Sequence, residues 1–411
     1  MSEWQEVKLN TVTSYIKRGV SPKYVEIDGH SIINQKCIRN NRVTYKDSKL
    51  LSKTQKIAKE KYLQDGDVLV NSTGVGTLGR VAQYKKIGVS VFCDSHVSIV
   101  RANELIDKVF LAHQLSYKES AIENYGKGAT NQIELSSHDL GLLKINLPPL
   151  PTQQKIAKTL SNYDDLIENN LKRIKLLEES ARLTYEEWFL RFRVDGKRLE
   201  INPESGLPFG WENKSVTECD TFKQDKRKVK EFEGEKKYYA TANISETEII
   251  ADGEIISWDS KPSRAQIKPN NNTVWFARMS NTYKVLCFNK KNINLQDNSV
   301  LSSGFAGFKA KNDLCLPFLY FTINSTFFHE LKDLYATGAT QVSLNNDSMS
   351  FIKIIEPSAN LAEEFGSRTL PLIEEISILR SKNQLLKEAR NILLPRLMTG
   401  MIDTNDMSIA V

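Results

Sequence analysis

Tyr125-Gly-Lys-Gly-Ala-Thr-Asn-Gln-Ile-Glu-Leu135 recurs about 210 positions later as Tyr335-Ala-Thr-Gly-Ala-Thr-Gln-Val-Ser-Leu344. Each copy then runs through a short β-like segment to a proline, Lys144-Ile-Asn-Leu-Pro148 and Lys353-Ile-Ile-Glu-Pro357. A long helical pattern follows each proline. Upstream the rhyme is weaker. Trp4 and Trp211 lie near the two starts, and Leu63-Gln-Asp-Gly-Asp-Val-Leu-Val70 is echoed by Ile267-Lys-Pro-Asn-Asn-Asn-Thr-Val-Trp-Phe276. One supersecondary plan is therefore used twice, and two copies make a pseudo-two-fold tandem repeat, not a solenoid. The expected divisions are 1–150 and 196–355 for the two mixed, β-rich units, with helices in 151–195 and 356–411. The fold class is α+β.

The helical stretches carry narrow apolar seams. In the first, Ile156, Leu160, Tyr163, Ile167, Ile174, Leu177, Ala181 and Trp188 follow three-four spacing, with Asn170 as the polar exception. In the second, Phe365, Leu372, Leu379, Leu386 and Leu393 recur every seven residues, beside Ile378, Leu385 and Ile392. Seams this narrow need a partner, and each helix is the obvious partner of the other. Antiparallel pairing makes them a coiled-coil spacer between the two β-rich units. Pro371 and Pro395 predict a kink or a late start in the second helix.

Totals narrow the class further. A chain of 411 residues exceeds one ordinary core. Its 40% hydrophobic and 26% charged residues are those of a water-soluble globular protein. No apolar run suggests a membrane span, and the N-terminus does not resemble a secretory leader. Five cysteines, odd in number and without Cys-x-x-Cys spacing, are expected to be reduced and mostly buried, in a cytoplasmic protein. The net charge of +6 sits on the β-rich units. Residues 1–150 carry 21 Lys+Arg against 15 Asp+Glu and residues 196–355 carry 21 against 19, whereas the helical segments are neutral or slightly acidic. That placement suits contact with a polyanion.

One motif points elsewhere and has to be weighed. Gly74-x-Gly76-x-x-Gly79 follows a β-like run, with Asp94 twenty residues after the first glycine. A dinucleotide site needs a helix after the third glycine and a crossover of a dozen or more residues to a parallel strand. Only about eight residues separate Gly79 from Gly88 and the next β-branched alternation. A glycine-rich hairpin fits better. No phosphate loop, Asp/Asn-Pro-Pro-Tyr/Phe loop or metal spacing among His30, His96, His113, His138 and His329 is present, and no enzymatic activity is expected of the isolated chain. His96 in Cys93-Asp-Ser-His96 reads as a polar turn at a strand end, not as a triad member.

With the repeat in hand, the chain resembles the specificity (S) subunits of type I restriction–modification systems over essentially its whole length. The resemblance is carried by Leu147-Pro-Pro-Leu-Pro-Thr-Gln-Gln-Lys-Ile156 opening the central helix and Ala181-Arg-Leu-Thr-Tyr-Glu-Glu-Trp-Phe189 closing it. Leu393-Leu-Pro-Arg-Leu-Met-Thr-Gly400, closing the second helix, belongs with them. The second helix opens with Ser358-Ala-Asn-Leu-Ala-Glu-Glu-Phe365 where the pattern expects another Pro-x-x-x-Gln-Gln, leaving its start open. The resemblance implies two target-recognition domains, each reading one half of a split site in double-stranded DNA. It also implies helices that dock two methyltransferase (M) subunits, with nuclease/translocase (R) subunits added to that core. S-adenosylmethionine, ATP and Mg2+ would belong to those partners, with no cofactor or metal in this chain. Two other readings stay open: a glycine-loop cofactor enzyme with a coiled-coil dimer arm, and a DNA-binding scaffold acting without methyltransferase partners.

Base reading needs donors and acceptors presented to a groove, Arg or Lys to guanine and Asn or Gln to adenine. In the first domain the candidates are Asn34, Lys36, Arg39, Asn41 and Arg42, then Ser72, Thr73, Thr77 and Arg80, then Lys127, Thr130 and Gln132. In the second they are Lys226, Arg227 and Lys228, Tyr239 and Asn243, Arg278, Asn281 and Thr282, and Thr340 and Gln341. Lysine-rich runs suit phosphates better than bases.

Overall fold

A computed structural model describes residues 4–128, 133–338 and 342–402. The chain forms two compact units, residues 1–167 with 385–411 and residues 168–384, and the division passes through both long helices.

In the first unit, strand Gln5–Lys8 pairs antiparallel with Lys144–Leu147, tying the chain start to the segment that enters the central helix. The main sheet runs in the order Thr13–Arg18, Val97–Ala102, Val68–Asn71, Val81–Gln83, all antiparallel. Both of its faces are apolar because it is covered on both sides. Val68, Val70 and Val100 join a core with Phe110 and Leu111 of helix Lys108–Tyr117, while Leu69, Ala82 and Ile99 join a second cluster with Ile33 and Ile38. A second sheet, Phe92–Cys93, Gly29–Ile33, Lys49–Ser52, Tyr24–Val25, contains one parallel pairing, between its first two strands.

The second unit repeats the plan. Glu212–Ser215 pairs with Lys353–Glu356 ahead of the distal helix. Its main sheet runs Phe222–Asp225, Phe305–Ala310, Thr273–Ala277, Val285–Phe288, again antiparallel throughout. Its second sheet, Glu254–Ile256, Lys236–Tyr239, Ser299–Ser302, Ala265–Ile267, also holds one parallel pairing, Lys236–Tyr239 with Ser299–Ser302. The tandem repeat seen in short sequence echoes is thus a repeat of whole topology. The second sheets differ only in the edge that takes the fourth strand.

The central helix spans Leu150–Tyr185 and ends in a wider π turn, Glu186–Leu190, that places the adjacent Trp188 and Phe189 together in the second unit's core. The distal helix spans Ala359–Met398 and runs through Pro371 and Pro395, so the late start expected from these prolines does not occur. A mid-helix proline costs roughly 3 kcal/mol. Burial on either side opposes that cost: Leu370 and Ile373 are core residues of the second unit, Leu397 and Met398 of the first.

In each unit the helices run antiparallel. In the first, Ile156 and Leu160 share a core with Leu393, Leu397 and Met398, and Arg390 donates to Asp164 at 2.5 Å. In the second, Ile174 and Leu177 form a separate seam with Leu171, Ile376 and Leu379, while Trp188, Phe365 and Leu372 join the domain core. Ile167 is buried and Leu386 half-buried. Leu385 and Ile392, 65% and 55% exposed, lie off the seam, which is therefore narrower than the heptad neighbours suggested.

All five cysteines are free thiols, four of them buried and Cys287 half-buried. No helix among the described residues is long and apolar enough to cross a membrane.

Candidate nucleic-acid interface

In the first domain the central strand Val68–Asn71 runs into the glycine turn and returns as Val81–Gln83, with Val70 opposite Val81. No helix follows Gly79. Gly74, Gly76 and Gly79 have φ of 101°, 71° and 85°, a left-handed region that side chains resist. A Cβ on Gly79 would also lie 3.0 Å from the Glu119 carbonyl oxygen. The glycines serve a tight turn packed on the helix Glu119–Asn124, which also accepts the Val81 N–H at the Glu119 carboxylate, 2.7 Å. Thr77 Oγ1 donates to the Thr73 and Gly74 carbonyls, and Arg80 donates to the Gly76 carbonyl at 2.8 Å.

The residues flanking the repeated Gly-Ala-Thr stretch stand beside this turn. Lys127 and Glu134 bridge each other, and Glu134 bridges Thr73. The Leu135 N–H donates to the Ser72 carbonyl at 2.8 Å. Arg18, at the end of the edge strand Thr13–Arg18, donates to the Leu135 carbonyl at 3.0 Å. Lys127 is exposed at the edge of the patch, with its ammonium 2.9 Å from Asp139. The second domain repeats the arrangement: Thr337 bridges Ser343, Ser343 bridges Met279, and the Leu344 N–H donates to the Arg278 carbonyl at 2.9 Å. Thr130, Gln132, Thr340 and Gln341 lie outside the described residues.

Several candidate side chains turn out to be engaged by the fold itself. Asn34 is 6% exposed, accepting the Lys36 N–H at 2.8 Å and donating to the Asp47 carbonyl. Ser72 is buried against Ser98 Oγ at 2.6 Å, and Thr73 meets His96 Nδ1 at 2.8 Å. Asp94 accepts the His96 backbone N–H, not its ring, so these residues make a polar turn. Asn41, at φ 59°, donates to Ser116 Oγ, and Arg42 is half-buried. Lys36 and Arg39 remain exposed in that loop.

The corresponding loop of the second domain behaves differently. Tyr239 is buried, and Asn243 accepts the Ala240 N–H at 2.8 Å and donates to the Asp252 carbonyl. The short hairpin that follows, Ile244–Ser245 with Glu248–Ile249, turns onto the paired helices, where Arg380 donates to Thr247 Oγ1 at 2.7 Å and to Glu178 at 2.6 Å. Arg278 is also consumed internally, donating to the Phe305 and Leu344 carbonyls and to Asn346 Oδ1. Burial without a nearby anion pushes its pKa down. Arg227 grips the buried Asp225 carboxylate. Lys226, Lys228 and Asn281 are exposed, and Thr282 is half-buried.

Sequence reasoning missed the residues that hold the second domain's turn. Lys332 is fully buried and donates to the Met279 and Thr282 carbonyls at 2.7 and 3.1 Å. Asp333, 2.8 Å from that ammonium, accepts the Asn281 N–H at 3.0 Å. His329, 2% exposed, packs edge-to-face against Tyr283, and burial lowers its pKa to about 4. The available signal was a lysine on the apolar face of helix Thr326–Leu334, level with Phe328.

Comparison with known proteins places this arrangement among related ones. The family described as type I restriction modification DNA specificity domain matches residues 1–179. The MjaVIII specificity subunit of Methanocaldococcus jannaschii is 23% identical over 99% of this chain and 94% of its own. The HindI specificity subunit of Haemophilus influenzae is 23% identical over 98% of this chain and 100% of its own. The crystal structure of a type I restriction–modification S subunit from M. genitalium superposes with a TM-score of 0.58 at 15% identity, covering 97% of this chain and 96% of that one, a likeness of fold.

Proposed function

The chain belongs to the family of type I restriction–modification specificity subunits, and from that premise we propose that its two domains each read one half of a bipartite DNA site. The observation that carries this reading is the duplicated topology. Each domain presents the turn at the end of its central strand joined to residues flanking its Gly-Ala-Thr stretch, through Thr73 and Glu134 in one and Met279 and Ser343 in the other. The frames match while the side chains on them differ: Gly-Val-Gly-Thr-Leu-Gly-Arg80 in the first turn, Arg278-Met-Ser-Asn-Thr282 in the second. Two like frames bearing unlike donors and acceptors suit a site with unlike halves.

The paired helices set the spacing between the half-sites and dock two methyltransferase subunits. The assembly directs adenine-N6 methylation and, with nuclease/translocase subunits, restriction. The chain itself is non-catalytic in this reading. S-adenosylmethionine, ATP and Mg2+ are held by the partners. Base contacts come from the exposed polar groups of the turns and of the Lys36–Arg42 loop, and phosphate contacts from the exposed lysines. The experiment is single-molecule methylome sequencing of a host expressing this chain with its methyltransferase. A split, asymmetric methylated motif is the expected product; the absence of any new modified motif, with the complex demonstrably assembled, overturns the reading.

A further inference from the structure

The two main sheets can be compared position by position. In the first domain Arg101 lies opposite Tyr15 across the Val97–Ala102 and Thr13–Arg18 pairing. Its guanidinium donates to both oxygens of Asp67 at 2.7 and 2.8 Å and lies 5.3 Å from the Tyr15 ring centroid. The cation there is neutralised by a carboxylate that is 1% exposed.

In the second domain the same register position is Lys309, opposite Lys223 on one side and Thr273 on the other. Lysine replaces the aromatic, and threonine stands where the acid was. Thr273 Oγ1 is already committed, accepting the Trp275 indole N–H at 3.0 Å and donating to the Asn270 carbonyl at 2.6 Å. Like charges directly opposite on an antiparallel pair destabilise it. Neither Lys223 nor Lys309 has an ion-pair partner among the described residues. Asp225 is held by Arg227, and Asp220, which feels Lys223 at longer range, is 2.6 Å from Lys214.

These groups line a concavity of about 420 Å³ formed by Lys223, Gln224, Asp225, Lys226, Arg227 and Lys309. Gln224, between Lys223 and Asp225 on the same strand, turns to the opposite face of the sheet and leads to the candidate interface. Gln224 Nε2 donates to Asn346 Oδ1 at 3.3 Å, the oxygen that also accepts from Arg278 at 2.7 Å at the root of the base-reading turn.

We propose that Lys223, Lys309 and Lys226 form an anion site in the second domain that takes a backbone phosphate of the bound DNA, supplying the negative charge that Asp67 supplies to Arg101 in the first. The proposal rests on the DNA-reading function above and adds a fixed phosphate anchor to one half-site only. A phosphate carries no sequence, and the site sets register instead of specificity. The repulsion between the two lysines is tolerated in the free chain and relieved on binding.

The test uses the full chain assembled with its methyltransferase subunits. Wild type, Lys223→Gln, Lys309→Gln and the double variant are titrated with a target duplex and a scrambled duplex of equal length over a range of salt. The double variant is expected to lose roughly tenfold in affinity for both duplexes alike, with the salt slope shallower by about 0.9 per lysine. Thermal unfolding of the DNA-free double variant should be unchanged or higher, which excludes misfolding. Wild-type affinity and slope in the double variant, with wild-type DNA binding intact, overturn the anchor and leave the DNA-reading function standing. No salt-dependent DNA binding by the wild-type assembly overturns both. A last arm measures stabilisation of the free chain by inorganic phosphate. Stabilisation that Lys309→Gln abolishes, without any change in DNA binding, would assign the site to a free oxyanion and overturn the DNA anchor.

Discussion

Asn170 and Asn383 face each other within the helix pair, 8% and 4% exposed, with Asn170 Nδ2 donating to Asn383 Oδ1 at 2.8 Å. They interrupt an otherwise apolar seam next to Ile174 and Leu379. A buried amide pair meets only in one register, so it selects an alignment at some cost in stability, here including a buried Asn383 Nδ2 left without a partner. Replacing Asn383 alone by Leu strands the Asn170 amide and should cost about 1–3 kcal/mol. The double change Asn170→Leu with Asn383→Leu should be neutral or stabilising. Chemical denaturation of the two variants decides it, and equal destabilisation by both would contradict the pairing.

Lys332 supports the turn after strand Thr273–Ala277, since its ammonium holds two of the turn's carbonyls. Lys332→Met leaves those carbonyls and Asp333 without the cation, a loss of about 3 kcal/mol for breaking a buried pair. Amide exchange at Asn281, whose N–H is bound by Asp333, should accelerate well beyond that of the first domain. Unchanged exchange there would show that the turn is held by something else.

His329 makes part of the stability pH-dependent. The folded side chain stays neutral until about pH 4, whereas the unfolded one takes a proton near its ordinary value. The unfolded state therefore binds more protons between those values. Stability from this group is complete above about pH 6.5 and is lost as pH falls toward 4, on the order of 3 kcal/mol in all. His329→Phe, which keeps a ring against Tyr283, should flatten that limb of the stability curve relative to wild type.

Gly366 sits inside the distal helix, where alanine is ordinarily better by about 1 kcal/mol. A Cβ at this position would lie 1.8 Å from the Leu314 carbonyl oxygen. Overpacking against fixed backbone typically costs more than the propensity gain, about 1–3 kcal/mol. Gly366→Ala is predicted to lower the denaturation midpoint, and a rise would show that the helix can move away.

Much of this architecture was legible because it is periodic or repeated. The seams at Ile156, Ile174 and Leu379 and the echo of Tyr125–Leu135 at Tyr335–Leu344 carry the helix pair and the duplication. The glycine turn was also readable, since eight residues cannot make a crossover. What the chain order concealed was which polar side chains the fold would use for itself. Asn34, Asn243 and Arg278 look like base readers in sequence, yet each satisfies backbone groups that the fold brings to it, 13, 9 and 66 residues away. Lys332 and Lys309 were missed because their meaning depends on neighbours more than thirty residues away. The distal helix is a further case, where core burial near Pro371 overrides a local propensity.

The division of labour between the domains is the central claim, and exchanging residues 1–150 for the first domain of another specificity subunit tests it most directly. Methylome sequencing of the host should then show a new first half-site, with the second half-site and the spacing retained. A motif unchanged in both halves, or altered in both, would contradict the account.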